Sequence, residues 1–514
     1  MTTRQRAGLR DRPTNGYDTL SDRCRRLITG AVLGTVFLSM LDGTVTGTAM
    51  PRIVAQLGGT DAWYVWVVTA YLLASTVTVP LYGRFSDLYG RRRPLLLGLG
   101  VFLAGSLACG IAGSIAMLIV SRAVQGIGAG ALLTVGMSVV RDLYPPSRMA
   151  AMVRMQSVVA GMFIVGMIGG PLLGGVLTDL ASWRWAFLLN LPIGLAAAAL
   201  LVVLLPRSRP EATGTGRIDL PGIALLTAGL SLVLLALSLK GNGSSRSWLD
   251  LSVAGPLLAG AVLLAMLIAL ERRAPVPILP LHLFRHRAYA AIVAAGFFFH
   301  AASLPFGIFV TLYLQHVRGY SATASGLLLL PMLVGMVLGN RLTAAAVMRT
   351  ARPKPALLIG AALLTTGSLP FLTLGAGTPT PLIAACLLLI GLGTGPAMGG
   401  ASIVAQNSVP RSDIGTATAG SMLTKQLGGA VSLAVSQSLL AHHLAHGGET
   451  PLTGGIGTTL ASIGAVSGLL ALAAVVLMPD LRITGPGGAP STPVSPGQPA
   501  GDDSTEHEAV RRQP

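Results

Sequence analysis

Charge is scarce in this sequence. Only 11% of its 514 residues are charged, whereas about a quarter are charged in an ordinary soluble domain. Hydrophobic residues make up 52%, and the mean hydropathy is +0.69. A soluble chain of this length would need far more charged surface. These values exclude a soluble protein and predict one that is embedded in a lipid bilayer.

Cysteine and lysine are also scarce. Cys24, Cys109 and Cys386 are too few and too scattered for a disulfide framework or a metal cage. None of the three lysines stands in a Gly-Lys-Ser/Thr phosphate loop, and the motifs His-Glu-x-x-His and Gly-x-Ser-x-Gly do not occur. We therefore expect no cofactor, no metal and no enzymatic activity.

Long apolar runs, by contrast, fill the chain. A spanning helix needs roughly 20 apolar residues, and runs of about that length predict an all-α integral membrane protein with fourteen spans. Twelve spans is the main competing count. The first run is too long for a secretory peptide, so we expect an uncleaved signal anchor. The runs cover approximately 27–50, 63–82, 94–113, 117–140, 151–177, 185–205, 218–239, 249–270, 290–314, 324–347, 356–375, 380–403, 414–439 and 457–478.

The net charge of +17 follows this topology. Lysine and arginine stay on the cytoplasmic side of short loops, and most of the 36 basic residues fall on one side if both termini are cytoplasmic. The orientation of the chain in the membrane then explains its positive charge, and no nucleic-acid partner is expected. The use of arginine in place of lysine indicates high-GC coding DNA, hence the cytoplasmic membrane of a bacterium. Five basic residues fall on the outer side: Arg52, Arg184, Lys240, Arg246 and Arg318.

The runs group into two sets of six around an inserted pair. Gly339-Asn340-Arg341 through Arg349 to Lys354 is a faint counterpart of the basic loop after the second span, as in transporters built from parallel repeats. The loop from Arg272 to Tyr289 is expected at the membrane surface, with His282, Arg285 and His286 facing headgroups. We expect a cytoplasmic basic arm over 1–26, a six-helix bundle over 27–205, two inserted helices and a linker over 206–289, a second six-helix bundle over 290–478, and a disordered cytoplasmic tail over 479–514.

Two opposite charges lie inside predicted spans at matching depth. A charge in the membrane costs at least ~2.5 kcal/mol, so it mainly faces a cavity or a partner. Asp42 lies roughly 22 Å from the cytoplasmic end of its span, and Arg122 lies roughly 8 Å below the outer surface of a ~30 Å core. If the first and fourth spans are neighbours, the two can pair, and Arg122 holds the carboxylate ionised until a proton or substrate intervenes. The alternatives are a structural ion pair, or two residues that never meet.

Lys425 and His300 lie inside predicted spans of the second half. Lys425 at mid-depth could bind an anionic group of a substrate, bias the potential of a cavity, or snorkel. His300 could relay protons, or it could be a packed residue among Phe297, Phe298 and Phe299. The three histidines His442, His443 and His446 could bind a metal, although a solvated helix end is the expected interpretation.

Glycines mark two further segments. The fifth span contains small residues spaced one helical turn apart, together with a proline: Gly166, Gly170, Pro171, Gly174 and Gly175. This spacing permits close contact between helices, which could also be static packing. Between the second and third spans, Gly83 and Gly90 suggest a tight turn, and Asp87 is placed to accept bonds from a helix N-terminus or from Arg141.

These segments resemble the major facilitator superfamily. The stretch 83–93 is similar to its signature loop, departing at Phe85 and Leu88, and 118–128 is similar to its fourth-helix motif. The stretch 166–175 matches the Gly-x-x-x-Gly-Pro-x-x-Gly-Gly motif of its proton-coupled exporters. The stretches 41–44, 183–194 and 415–430 resemble its fourteen-helix drug:proton antiporter branch. The sequence departs from that branch at two positions, which affects the expected substrate contacts. Gly47 stands where the branch usually has Asn, and Lys425 stands where it often has Arg.

The resemblance implies a proton-coupled exporter of lipophilic small molecules such as drugs, antibiotics or secondary metabolites. It implies that Asp42 and Arg122 are the proton-coupling pair, and we expect Lys425 and His300 to line the substrate cavity. The conformational latch would comprise Gly83, Asp87, Gly90, Arg91, Arg92 and Arg141. The expected partners are the substrate, protons and the lipid bilayer, with the chain as a monomer. Uptake by proton symport and a non-transporting receptor are the rival functions.

Overall fold

All regular secondary structure is helical over the part of the chain that the structure, a computed structural model, describes. That part comprises residues 20–58, 61–144, 149–206, 220–241, 248–272, 281–409, 414–446 and 451–480. Most of the predicted basic arm and nearly all of the predicted disordered tail lie outside these residues. The helices are α1 (Asp22–Leu57), α2 (Asp61–Tyr89), α3 (Arg92–Gly110), α4 (Ile115–Leu143), α5 (Met149–Leu180), α6 (Trp185–Leu188), α7 (Asn190–Leu204), α8 (Leu220–Gly241), α9 (Leu251–Glu271), α10 (Arg287–His316), α11 (Ala322–Thr350), α12 (Lys354–Ser368), α13 (Thr380–Thr394), α14 (Pro396–Asn407), α15 (Ile414–His446) and α16 (Pro451–Leu477).

The helix order gives fourteen crossings within the described residues, because α6 continues into α7 and α13 continues into α14. Eleven of these crossings are long and apolar enough to span a membrane by length and hydropathy. The remaining three, α5, α8 and α15, are 32, 22 and 33 residues long. The chain is therefore a multi-pass, all-α membrane protein, as its composition predicts.

Serine caps begin several of the crossings. The hydroxyl of Ser21 accepts from the backbone N–H of Cys24, and Ser114 and Ser321 cap α4 and α11 in the same way. Each cap satisfies one of the four backbone donors that a helix leaves unpaired at its start. The sequence therefore sets where these spans start, and the short turn between α3 and α4 is where it was predicted.

The crossings pack as two groups with the α8–α9 pair beside them. Helices α1 to α7 pack mainly on one another, and so do α10 to α16. Glycines allow this close approach: a Cβ on Gly128 of α4 would lie 2.3 Å from the backbone nitrogen of Phe102 in α3. Leu230 of α8 packs against Ala430 and Ala434 of α15. Helix α8 thus contacts α15 of the second group and also α2 of the first.

Parts of two segments predicted as loops are helical. Residues 83–89 lie inside α2, and residues 348–350, which follow the predicted span 324–347, lie inside α11. Both predictions placed the loop where charges interrupt the apolar run. The helices extend past the apolar core into the interface, where charged side chains reach water without breaking backbone hydrogen bonds.

Candidate functional site

A fully buried ion pair joins α1 to α4. The guanidinium Nη1 of Arg122 contacts Oδ2 of Asp42, and both side chains are 0% exposed. The matching depth of the two residues in their spans predicts this ion pair. The two side chains reach each other because α1 packs directly on α4. The pair lies inside the first group of helices and is shielded from water on all sides.

Three further polar side chains complete the Asp42 cluster, which we define as Asp42, Ser106, Arg122, Gln125 and Asn190. Gln125 Nε2 donates to Asp42 Oδ1 at 2.8 Å, and Asn190 Nδ2 donates to the same oxygen at 3.0 Å. Both amides also donate to the Ser106 hydroxyl oxygen, at 2.7 and 3.2 Å. The cluster therefore draws on four helices, α1, α3, α4 and α7. Motion of any one of them changes the hydrogen bonds of the carboxylate.

Arg122 is held independently of Asp42. Its Nη1 also donates to Gln125 Oε1 at 2.7 Å, and its Nε donates to the Val67 carbonyl at 3.3 Å. The guanidinium carbon lies 4.1 Å from the ring centroid of Tyr71 and 5.6 Å from that of Phe187. Its buried Nη2 has no hydrogen-bond partner among the described residues. Arg122 therefore has several contacts that do not involve Asp42.

The glycines of α5 lie against the helix that carries Asp42. A Cβ on Gly170 would lie 1.9 Å from Thr44 Oγ1, and one on Gly174 would lie 2.4 Å from the carbonyl oxygen of Val45. The Thr44 hydroxyl also donates to the Gly166 carbonyl at 3.2 Å. Only glycine permits this separation of α1 and α5. The segment 40–48 of α1 is therefore in close backbone contact with α5.

The far end of α5 contacts the second group of helices. A Cβ on Gly175 would lie 2.6 Å from the Cα of Thr323, and one on Gly326 would lie 2.5 Å from the carbonyl oxygen of Pro171. The predicted antiporter motif thus has two faces, one on α1 and one on α11. Through α5, the environment of Asp42 is linked to the interface between the two groups.

An acid at the end of α5 caps a helix of the other group. Asp179 Oδ2 accepts from the backbone N–H of Thr323 at 2.8 Å and from its hydroxyl at 2.6 Å, and Oδ1 accepts from the N–H of Ala322 at 3.3 Å. Arg52 lies 3.7 Å from Asp179, and Gln315 donates to the Thr48 carbonyl at 3.0 Å. These contacts close the two groups against each other at the end opposite the arginine-rich loop 83–93, which we call the opposite face. Sequence reasoning missed Asp179, because an acid at a span end looks like an ordinary loop residue.

The arginine-rich loop turns at Gly90, where φ is +78°. Arg91 Nε donates to Asp142 Oδ2 at 3.1 Å, and its Nη1 donates to the Ser86 hydroxyl at 2.7 Å. The ion pair therefore joins the loop to the end of α4 through Asp142, a residue that the sequence analysis did not single out.

The other predicted latch residues take no part in the Arg91–Asp142 ion pair among the side chains that are described. The neighbouring Arg141 is exposed, and the side chain of Asp87 lies outside those that are described. Arg92 donates to the carbonyl of Val202 in α7. Gly83 lies within α2, where its nearest neighbour outside that helix is Thr134.

Lys425 and His300 lie at the contact between α15 and α10. Lys425 Nζ donates to the Ala397 carbonyl at 2.7 Å, and a Cβ on Gly296 would lie 3.1 Å from its Cε. His300 packs against Gly429, one turn further along α15. Both side chains are only half-buried. The two side chains thus lie along the same helix contact in the second group, and Lys425 carries its positive charge.

The remaining predicted histidines lie at helix ends. His282, Arg285 and His286 are exposed around the short 3-10 helix Leu281–Arg285. His443 Nδ1 lies 2.8 Å from the Leu439 carbonyl, and His442 is exposed. The side chain of His446 is outside those described.

Comparison with known proteins gives a consistent picture. The sequence pattern of the Major Facilitator Superfamily matches residues 32–433. The multidrug transporter protein MdtP of Bacillus subtilis is 33% identical over 405 residues, which cover 78% of this chain and 73% of MdtP. The efflux pump FUS6 of Gibberella fujikuroi is 31% identical, over 82% of this chain and 76% of the pump. The crystal structure of an auto-inhibited peptide transporter of the POT family shares the fold, with a TM-score of 0.65 at 17% identity over 88% of this chain and 96% of that one.

Proposed function

Because the chain belongs to the major facilitator superfamily, we propose that it exports lipophilic small molecules, such as drugs, antibiotics or secondary metabolites, in exchange for protons. Relatives named as a multidrug transporter and an efflux pump support a small-molecule transporter. The chain is a membrane transporter, not an enzyme. Proton exchange is the further step.

The single observation that carries proton coupling is the buried Asp42 cluster. Both oxygens of the Asp42 carboxylate accept hydrogen bonds, and the Arg122 guanidinium lies beside it as its counter-charge. Protonation removes the attraction to Arg122 and leaves that cation without its counter-charge. The free energy of the closed packing then depends on whether Asp42 carries a proton.

In this proposal, the α5 glycines transmit the change at Asp42 to the contact between the two groups of helices. They link the α1 segment beside Asp42 to the α5–α11 contact at the opposite face. In the proposed cycle, Asp42 is protonated when the opposite face opens, and it loses the proton on the arginine-rich side as substrate enters. One proton moving through ~100 mV supplies about 2.3 kcal/mol, and each pH unit adds about 1.4 kcal/mol. Together they support a gradient of a few hundredfold for a neutral substrate.

We place the arginine-rich loop and both termini in the cytoplasm of a bacterium, and the chain in its cytoplasmic membrane as a monomer. The distribution of arginine supports this orientation. Thiol-reactive, membrane-impermeant reagent applied to intact cells tests it. Cysteine at position 180, on the opposite face, should react, and cysteine at 349 should not.

Everted membrane vesicles test the proposed exchange. The interior is acidified, the pH gradient is followed by quenching of a weak-base dye, and a panel of lipophilic compounds is added. An antiporter partly collapses the gradient when its substrate is added, whereas a symporter of the same compound moves protons with it in the opposite sense. Wild type and Asp22→Asn, whose acid is exposed, should respond, and Asp42→Asn should not. A receptor would give no response with any variant.

We also propose that Lys425 and His300 line the substrate path and favour neutral or anionic compounds. The sequence has only two acids between Glu271 and Asp480, namely Asp413 and Glu449, and both fall between predicted spans. No predicted span of the second half thus offers a carboxylate for a cationic drug, while Lys425 offers an ammonium.

Substitution of Lys425 gives a matched test. Lys425→Gln should lower export of a carboxylated compound about tenfold relative to its neutral methyl ester, because the variant loses one charge-assisted bond worth ~1.5 kcal/mol or more. Lys425→Arg should keep the ratio, since it keeps the charge. Competition uptake into everted vesicles measures both. An unchanged ratio in Lys425→Gln would remove Lys425 from the substrate path.

A further inference from the structure

A groove of about 800 Å³ opens on the outer surface of the second group, between α11 and α12. Its walls include Leu342 and Ala346 on one side and Ile359 and Leu363 on the other, and α13 forms its floor. Leu342 is 63% exposed and Ile359 is 60% exposed. In a membrane protein such side chains face the acyl chains, so the groove is open to lipid and belongs to no proton or substrate site described above.

The depth of the groove matches one leaflet. On α11 its lining runs from residue 339 to residue 350. At 1.5 Å per residue this is about 17 Å, close to half of a ~30 Å hydrocarbon core. The groove therefore extends from the membrane surface at the arginine-rich side to about the bilayer midplane, which is the length that one acyl chain occupies.

The surface end of the groove is polar and positive. Thr350 and Arg352 line it there, and the Thr350 hydroxyl accepts from the backbone N–H of Arg352 at 3.2 Å. Arg352 is exposed, and none of the ion pairs among the described residues involves it. The adjacent Lys354 is instead engaged, by Asp480 at 3.4 Å and by the Met478 carbonyl at 2.7 Å. Arg352 is thus the cation that lines the groove at headgroup level.

We propose that this groove binds one anionic phospholipid, with its phosphate at Arg352 and one acyl chain between α11 and α12. An apolar channel one leaflet deep fits the chain, and a guanidinium at its mouth fits a phosphate through paired N–H donors. Basic pockets between spanning helices are a known basis of anionic lipid recognition. The site holds its lipid whether or not the chain couples transport to protons.

Native mass spectrometry of the full chain in detergent micelles tests the proposal. Dioleoyl phosphatidylglycerol and dioleoyl phosphatidylcholine share their acyl chains and differ in net charge. Wild type should bind one phosphatidylglycerol at least tenfold more tightly than phosphatidylcholine. Arg352→Gln should lose that preference, and Arg349→Gln, an exposed arginine on the same helix end outside the groove, should keep it. Ala346→Leu, which narrows the groove and leaves Arg352 in place, should weaken both lipids.

Four results would overturn the proposal. They are equal binding of the two lipids to wild type, an Arg352→Gln variant that keeps the preference, equal losses in Arg352→Gln and Arg349→Gln, and displacement of the lipid by inorganic phosphate. If wild type instead has the mass of two chains and Ala346→Leu has the mass of one, the groove binds a second copy of the protein. Unfolding temperatures of each variant, compared with wild type, show that the variants are folded.

Discussion

At the scale of single residues, the free energy of the Asp42 cluster depends on every member keeping its partner. Breaking a buried ion pair by removing one charge typically costs 3–5 kcal/mol, while replacing both charges with apolar groups is often neutral. Asp42 accepts from Arg122, Gln125 and Asn190, so a change at any of them leaves an unpaired polar atom in the membrane. The cluster is stable as a unit.

We expect Arg122→Met to lower the unfolding free energy by about 3–5 kcal/mol, because it leaves the Asp42 carboxylate buried without its cation. The double variant Asp42→Leu/Arg122→Met should recover most of that loss. Exposed Arg349→Met should change stability by less than about 0.5 kcal/mol. Thermal unfolding in a fixed detergent measures all three. If the double variant is less stable than Arg122→Met alone, the pair does not act as a unit.

At the scale of helices, contact between α1 and α5 depends on what each missing Cβ would meet. A Cβ on Gly170 would meet the side chain of Thr44, 1.9 Å from Oγ1 and 2.6 Å from Cβ, and glycine at position 44 removes both atoms. A Cβ on Gly174 would meet the backbone carbonyl oxygen of Val45 at 2.4 Å, which no substitution removes. Nothing lies within 4 Å of a Cβ on Gly169. The three glycines therefore form a graded series in one helix.

Alanine at these positions should separate the two kinds of contact. Gly170→Ala and Gly174→Ala should each destabilise the protein by about 1–3 kcal/mol through overpacking and slow transport. Added Thr44→Gly should rescue part of the first loss but not the second, because Thr44→Ala would still leave a Cβ 2.6 Å away. Gly169→Ala should be neutral or slightly stabilising, since alanine favours a helix. Unfolding temperature and vesicle transport together test this order, and equal effects at all three positions would refute it.

The carboxylate cap at the opposite face sets how firmly that face is closed. Asp179→Ala removes three hydrogen bonds to Ala322 and Thr323, so we expect the open population to rise by roughly tenfold or more. Spin labels at positions 180 and 327, in a chain without its native cysteines, report the separation of the helices. Arg52→Gln should have a much smaller effect, because its contact to Asp179 is 3.7 Å long and its side chain is 52% exposed.

If Asp179→Ala leaves the distance distribution between those labels unchanged, the cap does not hold the opposite face closed. If Arg52→Gln changes it as strongly as Asp179→Ala does, the interaction is a general charge effect.

At the scale of the whole molecule, the sequence predicts the fold because hydropathy fixes helices in a bilayer, where backbone groups must pair within each span. It also predicts the Asp42–Arg122 contact, because a charge at depth needs a partner. It does not reveal Ser106 or Asp179. A serine in an apolar run and an acid at a helix end are common, and their roles depend on which helices become neighbours. Likewise, Asp87 rather than Asp142 was singled out beside the arginines, since the sequence does not show how α4 approaches the loop.

In the proposed mechanism, the molecule couples its two groups of helices through one carboxylate, that of Asp42. Purified protein in liposomes allows two modes to be compared for an identified substrate. In the first, a pH gradient drives net accumulation. In the second, labelled substrate exchanges with unlabelled substrate at equal pH on both sides. Net accumulation requires proton movement, whereas exchange requires only that the loaded carrier change its access.

The decisive measurement is therefore the ratio of these two rates in Asp42→Asn, with Asp22→Asn as the control. We predict that Asp42→Asn loses gradient-driven accumulation and keeps substantial exchange, and that Asp22→Asn performs both as wild type does. An Asp42→Asn protein that accumulates substrate normally under a pH gradient would contradict the assignment of Asp42 as the proton site.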